Sequence, residues 1–471
     1  MFEREDDDFS RDDIASMVKQ FEEALENNIQ AFFDHSAFEY IIDYYEDQRE
    51  YDRALAAVDA ALSQYPFSSG LMTKQAQLLA EERRYDEAWE ILDKAETLDP
   101  NELNIFLVRA DICVWMGKHE EAVRQIQKAL DITDESEHDD IYLELADVYE
   151  DWEKYLEVID CMKKALYINP KNPEALNRIW FAYELTEDYE DSMKFHTEFI
   201  DIEPYSFIAW YNLAHACAGL GLYDKAKEAF DYAIAINERF DAAYTDCGDL
   251  LFNDGRFRDA LEYYHEVLKF MQAPRKELLI SMASCYSKLE EYKRARYYLR
   301  KCLNLDPGYA DAYYRIAENY REEENWEKAL TYFDRAVKLS PKDTDFMTGL
   351  ADAYFNLGRA DESIELYQQI VDLDPRDREH WINLAAALFD SEAYEESLEV
   401  LEKSEKLFGD NAYIFYVKAA FQYYLGHKSE ALVNLQKGLL KNYGDHLLIF
   451  SINPDMEQDA DVMEVIEQYG I

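Results

Sequence analysis

Apolar residues recur along this chain at the three- and four-residue spacing of helices that bury one face. Between residues 207 and 236 the first stripe consists of Trp210, Leu213, Ala214 and Cys217, and the second of Tyr223, Ala226, Phe230 and Ala233. Two glycines, Gly219 and Gly221, lie between the two stripes. This pattern predicts two short antiparallel helices joined by a tight turn.

The same pair of stripes returns with a period of 34 residues. We number each repeat from position 1 to position 34, and the twelve repeats then start at residues 35, 69, 103, 139, 173, 207, 241, 276, 310, 344, 378 and 412. Extra residues interrupt the period at 137–138 and at 275. We expect the array to bend at these breaks without forming independent domains.

Small residues mark the places where neighbouring helices should touch. Position 8 is alanine in nine repeats and position 20 is alanine in eight. Leucine at such a joint would overpack it, typically at a cost of about 1–3 kcal/mol. Seven of the ten prolines stand at position 32, where a missing backbone donor stops the second helix before the next repeat.

These markers resemble the signature of tetratricopeptide repeats. In the repeat that starts at 310 the matching residues are Tyr313, Ile316, Ala317, Tyr320, Ala329, Phe333, Ala336 and Pro341. The resemblance covers residues 35–445 and implies an all-α fold, a right-handed superhelical solenoid of helix-turn-helix repeats. It also implies a concave groove, lined by the first helix of each repeat, that binds extended peptides or partner helices. Because only the short ends of this sequence lie outside the repeats, we expect no appended catalytic domain in it.

Both ends are predicted to cap the solenoid, because a terminal repeat leaves one apolar face uncovered. Residues 1–34 read as an acidic tail and a capping helix over 11–33, whose inner stripe consists of Ile14, Val18, Phe21 and Leu25. Residues 446–471 read as a C-terminal capping segment and helix, whose inward residues are Val462, Val465 and Ile466.

Repeat five departs from the pattern. Trp180 stands at position 8, His196 at position 24 and Phe199 at position 27, so bulky groups replace two small joints. We expect its helices to splay or shift. Either smaller neighbours compensate for the bulk, or the widened seam receives a side chain of a partner.

The net charge of the chain predicts the sign of a partner's charge but not the partner's identity. The chain has 100 acidic and 48 basic residues and a formal net charge of −52. Such a charge repels nucleic acids and anionic membranes and accelerates encounters with basic proteins. No apolar run approaches the roughly 20 residues needed for membrane insertion, and the first residues do not resemble a secretory signal, so we expect a cytoplasmic location.

Motifs of catalysis or metal binding are absent from the sequence. There is no GxSxG, GxxxxGK[ST] or HExxH motif, and the six cysteines form no CxxC pair, which favours reduced core residues. Residues 455–466 resemble a calcium loop only superficially, because Ala460 and Ile466 replace the required glycine and glutamate. We therefore predict no enzyme activity, no cofactor and no metal.

In tetratricopeptide domains, positions 2, 5, 6, 9, 12 and 13 face the groove, and the resemblance transfers that role to this chain. In repeats one to four the candidate partner-binding residues are acidic, namely Glu39, Asp43, Asp47, Asp111, Asp140, Glu144, Asp147 and Asp151. Further along they are Tyr211, Asn212, His215, Asp246, Asp249, Tyr314, Arg315, Glu318, Asp352 and Asn383. Near the end, Tyr416, Tyr423 and Tyr424 are also expected to line the groove.

This lining favours a lysine- or arginine-rich segment of a protein or peptide, with apolar or aromatic anchors. No three successive repeats carry the lysine, asparagine and arginine set of the carboxylate clamp, so acidic chaperone tails that end in EEVD are not expected partners. Our first hypothesis is a non-catalytic scaffold or adaptor for basic proteins. Two alternatives remain, an assembly chaperone or holdase for a basic client, and a non-catalytic targeting subunit of an enzyme complex.

Overall fold

A computed structural model describes residues 11–27, 32–409 and 411–470. Over these ranges the secondary structure consists of α-helices and three short 3-10 turns, with no β-strand. The chain divides into two compact halves, Met1–Ala243 and Tyr244–Ile471. We call them the N-terminal half and the C-terminal half and describe each by itself.

The first thirteen helices are α1 (Arg11–Glu26), α2 (His35–Asp47), α3 (Tyr51–Gln64), α4 (Ser69–Glu81), α5 (Tyr85–Leu98), α6 (Leu103–Trp115), α7 (His119–Ile132), α8 (His138–Asp151), α9 (Tyr155–Ile168), α10 (Pro173–Thr186), α11 (Tyr189–Ile202), α12 (Phe207–Gly219) and α13 (Tyr223–Ile236). The remaining helices are α14 (Asp241–Asn253), α15 (Phe257–Phe270), α16 (Lys276–Lys288), α17 (Tyr292–Leu305), α18 (Ala310–Glu322), α19 (Trp326–Leu339), α20 (Thr344–Asn356), α21 (Ala360–Leu373), α22 (Arg378–Asp390), α23 (Tyr394–Phe408), α24 (Ala412–Tyr424), α25 (Lys428–Lys441), α26 (Leu448–Ile452) and α27 (Ala460–Tyr469).

Each repeat is one pair of these helices. Repeat 1 is α2 with α3, repeat 12 is α24 with α25, and every first helix begins within one residue of the start predicted from the 34-residue period. The all-α class and the tandem helix-turn-helix architecture of a tetratricopeptide-type solenoid are thus confirmed.

The small residues lie where the helices of a repeat meet. Ala214 on α12 and Ala226 and Ala233 on α13 are fully buried. In repeat 7, Gly248 takes the place of the alanine at position 8, and a Cβ atom there would clash with the buried ring of Tyr264. The ring fills the joint that alanine fills elsewhere, so a side chain at position 248 would overlap it.

Repeat five is splayed, as its bulky residues predict. The backbones of α10 and α11 approach each other closely at far fewer points than those of α12 and α13. His196 is completely buried, and burial lowers its pKa to about 4. The neutral ring lies with Nδ1 2.9 Å from the Ser192 carbonyl oxygen and Nε2 3.3 Å from the Asn212 amide nitrogen. Polar groups of repeats five and six thus pair with the buried His196 ring, whereas the buried indole nitrogen of Trp180 has no hydrogen-bond partner among the described residues.

Both ends carry additional helices. On α1, Val18 and Phe21 are buried in a cluster with Phe38 and Tyr45, whereas Leu25 is 45% exposed, so its predicted inward position is wrong. The helix ends at Glu26 rather than at residue 33, and residues 28–31 and 1–10 lie outside the described ranges. At the other end, α27 buries Val462, Val465 and Ile466 in one cluster with residues of repeat 12.

Candidate functional site

Four first helices of the N-terminal half enclose a cleft of about 500 Å³. Its walls come from α2, α4, α6 and α8. Helix α4 packs against α6, and α6 packs against α8. Four of the predicted site residues, Glu39, Asp43, Asp111 and Glu144, line this space. We call it the acidic cleft.

The carboxylate of Asp111 is the most perturbed group of the acidic cleft. Asp111 is exposed to solvent, and its side chain lines the cleft. Burial, followed by the charges of Glu144, Asp147 and Glu81, raises the pKa of Asp111 from 3.8 to about 7. Burial and Asp147 also raise the pKa of Glu144. Acidic groups thus crowd one another here.

In repeats 2 and 5, a basic residue at position 6 forms ion pairs with two carboxylates of the preceding repeat. Lys74, at position 6 of repeat 2, lies 3.4 Å from Asp43 and forms an ion pair with Glu46. These two carboxylates occupy positions 9 and 12 of the preceding repeat. Sequence reasoning did not single out Lys74. A rule that pairs position 6 with position 9 of the preceding repeat would have placed it beside Asp43.

Arg178, at position 6 of repeat 5, repeats this arrangement. Its guanidinium lies 2.7 Å from Asp147 and 3.0 Å from Glu150, again at positions 9 and 12 of the preceding repeat, and 3.4 Å from Glu174. Burial raises the pKa of Asp147 while Arg178 opposes that shift. Asp147 is therefore paired within the chain, and the sequence had not predicted that pairing.

Repeat 4 reverses the rule. Its position 6 is Glu144, and position 9 of the preceding repeat is Asp111. Neither carboxylate has an ion-pair partner within residues 11–27, 32–409 and 411–470. A carboxylate thus stands where repeats 2 and 5 supply a cation.

The other acidic candidates of this half are placed separately. Asp151 lies 2.8 Å from His119, whose ring stacks on Trp152. Asp140 is exposed on α8, and the partial burial of its carboxyl group, followed by the charges of Asp139 and Glu174, raises its pKa. Asp47, at the end of α2, is exposed and does not line the acidic cleft.

Asn212 does not line the groove, contrary to the prediction from its position 6. The side chain is only 1% exposed, and its amide donates to the Leu176 carbonyl oxygen at 2.8 Å. The reason lies in repeat five, where His196 at position 24 provides an acceptor for the same amide. Tyr211 and His215 are half-buried, with their rings 4.5 Å apart.

Tyr416 is likewise buried, and its hydroxyl donates a hydrogen bond to the Asn442 carbonyl oxygen at 2.6 Å. The predicted exposure of Tyr416 is therefore wrong. Tyr423 is half-buried and donates to Asp459, whereas Tyr424 is 64% exposed.

In the C-terminal half, Tyr314, Arg315 and Glu318 line a second cleft of about 590 Å³. Arg315 is held by Asp311, with Nε 2.6 Å from a carboxylate oxygen. Arg321 lies 2.6 Å from Glu318, but burial, with the charges of Glu322 and Asp352, raises the pKa of Glu318 to about 6.

Two predicted aspartates of this half are acceptors for tyrosines inside their own repeats. Tyr264 donates to Asp249 and Tyr367 donates to Asp352, in both cases from position 24 to position 9. Burial raises the pKa of both carboxyl groups. Asp246 on α14 and Asn383 on α22 are half-buried. The structure therefore brings together Tyr314, Arg315 and Glu318 but gives Asp249 and Asp352 structural hydrogen bonds.

All six cysteines are buried and form no disulfide. Among the described residues, no group of three or more His, Cys, Asp or Glu side chains is arranged to hold a metal ion. In the same part of the chain, no helix has the length and apolar character needed to cross a bilayer.

Comparison with known proteins gives one consistent family. Four family models described as tetratricopeptide repeat match this chain, at residues 41–102 and 280–344, 139–172, 207–240 and 320–388. Together these matches cover about half of the chain.

Individual relatives are distant. BBSome complex member BBS4 from Bos taurus is 23% identical over 218 residues, which cover 46% of this chain and 42% of that protein. Protein O-mannosyl-transferase TMTC1 from Homo sapiens is 22% identical over 214 residues, which cover 45% of this chain and 20% of that protein. The matched region thus spans less than half the length of either relative.

Among solved structures, a tetratricopeptide repeat protein from Parabacteroides merdae aligns with 56% of this chain and 98% of its own. The sequence identity is 18% and the TM-score is 0.40.

Proposed function

The chain belongs to the tetratricopeptide repeat family, whose members bind proteins or peptides, and from this premise we propose that it is a non-catalytic scaffold or adaptor for basic protein segments. The acidic cleft is the proposed binding site in the N-terminal half. The proposed location is the cytoplasm. The proposed partners are proteins rather than nucleic acids, because the net charge of −52 repels phosphates.

The observation that carries the proposal is the pair Asp111 and Glu144. At the equivalent places of repeats 2 and 5, Lys74 and Arg178 neutralise the carboxylates, whereas repeat 4 supplies a further acid. Burial, and then the like charges of Glu144, Asp147 and Glu81, raise the pKa of Asp111, so the ionised carboxylate destabilises the folded chain. A lysine or arginine of a partner would take the place of the missing cation and relieve this repulsion.

The same charges argue against other partners. An acidic chaperone tail would meet carboxylates rather than the basic clamp that it requires. The relative named as a transferase matches over only 20% of its length, so the proposal takes no activity from it.

The proposal is tested by fluorescence anisotropy with a labelled lysine- and arginine-rich peptide of about 20 residues. The double variant Asp111→Asn with Glu144→Gln should bind it roughly tenfold more weakly, since two close charge contacts are lost. The affinity of the wild-type chain should fall steeply as salt rises from low to physiological concentration.

A matched double variant, Glu90→Gln with Glu198→Gln, removes the same charge from exposed second helices outside the cleft. It should change the affinity less than about twofold, because exposed distant charges are screened. Equal losses in the two double variants would mean that net charge alone attracts the peptide, and the assignment to the cleft would fail.

A further inference from the structure

The first helices of repeats 11 and 12, α22 and α24, carry most of an aromatic cleft in the C-terminal half. Of its residues, only Tyr424 was among those that the sequence predicted to line the groove. Four rings line it, those of Phe389, Tyr394, Phe421 and Tyr424, and Ile452 of α26 closes one side. The space measures about 410 Å³. We call it the aromatic pocket.

Two of the rings form the floor and one forms an open wall. Phe389 and Phe421 are buried and stack with centroids 3.9 Å apart. The Tyr424 ring stands 5.3 Å from Phe389 at 69° to it, and Tyr394 lies 6.3 Å from Tyr424. Tyr424 remains 64% exposed, so a ligand can reach an aromatic face from solvent.

Two carboxylates belong to the same lining, Asp390 at the end of α22 and Glu392 in the following turn. In the described part of the chain neither has an ion-pair partner. Burial raises the pKa of Asp390. Burial, then Tyr424 and Glu392, and lastly Asp390 raise the pKa of Tyr394, which places these four groups within electrostatic reach of one another.

We propose that the aromatic pocket binds the guanidinium group of an arginine side chain on a partner protein. Aromatic faces attract a cation within about 6 Å of a ring centroid, and the attraction grows when water is excluded. A planar guanidinium can lie against a ring while its N–H groups donate to carboxylates, which a compact ammonium does less well. The carboxylates repel an acidic group and give a neutral group no charge–charge attraction.

This inference rests on the proposed function in that the partner is basic, but it concerns other residues in the other half of the chain. The two are therefore separable by experiment. Variants in the acidic cleft should leave ligand binding at the aromatic pocket unchanged. Variants in the aromatic pocket should likewise leave peptide binding at the acidic cleft unchanged.

The test places a fluorine probe beside the pocket of the full chain. Ser451→Cys is suitable because Ser451 is exposed next to Ile452 and the six native thiols are buried, so that a trifluoromethyl reagent labels one site. Nα-acetylarginine methylamide is titrated and followed by ¹⁹F NMR. The lysine and citrulline analogues are the comparison ligands, since citrulline keeps the shape of arginine without its charge.

Arginine should give a saturable shift, lysine a weaker one, and citrulline none. Tyr424→Ala and Asp390→Asn should each weaken arginine binding about tenfold. Tyr424→Phe keeps the aromatic face and should retain most of the affinity. Tyr297→Ala and Glu396→Gln, which alter exposed residues of the same half outside the pocket, should have no effect.

Equal shifts with arginine and citrulline would overturn the proposal, because charge would then play no part. So would arginine binding that survives Tyr424→Ala and Asp390→Asn. Loss of the shift in these two variants with retention in both controls would support it, whatever the peptide result at the acidic cleft.

Discussion

Arg178 on α10 binds Asp147 on α8, with Nη2 2.7 Å from a carboxylate oxygen, and so joins the first helices of two neighbouring repeats. The same guanidinium reaches Glu150 and Glu174. Its side chain is only 14% exposed, so solvent screens these contacts less than it would at an open surface. One cation thus neutralises three acids between repeats 4 and 5.

Replacing Arg178 with methionine should therefore destabilise the N-terminal half. The substitution keeps an apolar stem but leaves three carboxylates close together, and we expect a loss of about 1–2 kcal/mol, limited because the carboxylates are partly exposed. Urea unfolding followed by circular dichroism measures the loss, which should shrink at high salt.

Arg359→Met is the matched control. Arg359 pairs with Glu362 three residues later on an exposed surface, so the stability should change little. Similar losses in the two variants would show that the contacts of Arg178 across the joint contribute nothing special.

Asp111 should make the stability of the chain depend on pH. Its folded pKa, about 7, lies above its ordinary value of 3.8, so the folded state binds the proton more tightly than the unfolded state. Asp111 therefore lowers the stability progressively as pH rises from about 4 to about 7, and the full penalty persists above pH 7. Asp111→Asn should remove it and stabilise the chain at pH 8 by about 1 kcal/mol, discounted for solvent access.

Urea midpoints of wild type and Asp111→Asn at pH 4 and pH 8 measure this effect. The difference should be near zero at the lower pH and appear at the higher pH. His196, whose lowered pKa acts in the opposite direction between about pH 4 and 6.5, is present in both proteins and cancels. Glu90→Gln, an exposed carboxylate change, should show no such pH dependence, and a stabilisation by Asp111→Asn that is equal at both pH values would contradict the assignment.

Gly248→Ala tests the packing of the joints. The added methyl would collide with the ring of Tyr264, which is fully buried and cannot move aside, so we expect a loss of about 1–3 kcal/mol. At Gly70 on α4 a Cβ atom would meet nothing within 4 Å. Gly70→Ala should therefore be neutral or stabilise by up to about 1 kcal/mol, through helix propensity. A harmless Gly248→Ala in thermal unfolding would show that the joint tolerates more bulk than its geometry implies.

The helices could be predicted from the sequence because each rule acts within 34 residues and is repeated. Alanine at the joints and proline at position 32 fix the same hairpin again and again, and the starts of the first helices follow. Side-chain partners could be predicted less well, because they depend on substitutions elsewhere. Asn212 is buried because residue 196 is a histidine with a free acceptor, and its own position in the repeat does not reveal that.

The acidic cleft could be predicted from the sequence only in part. Its acids were recognisable one by one, but their electrostatic state depends on position 6 of the next repeat. That residue is Lys74 beside Asp43, Arg178 beside Asp147 and Glu144 beside Asp111. A pairwise rule between neighbouring repeats was therefore needed, and the repeat pattern alone did not supply it.

This rule separates stability from binding in a final prediction. Glu144→Lys restores a cation at position 6 opposite Asp111, so it should lower the pKa of Asp111 and stabilise the chain by up to about 1 kcal/mol, while basic-peptide binding is largely lost. Asp147→Lys, three residues further along the same helix, makes the same charge change but sets a second cation against Arg178 and should reduce stability. Urea unfolding and peptide anisotropy on both variants distinguish the outcomes. If Glu144→Lys destabilised the chain or bound the peptide as tightly as wild type, repeat 4 would not be the place where a partner supplies the missing cation.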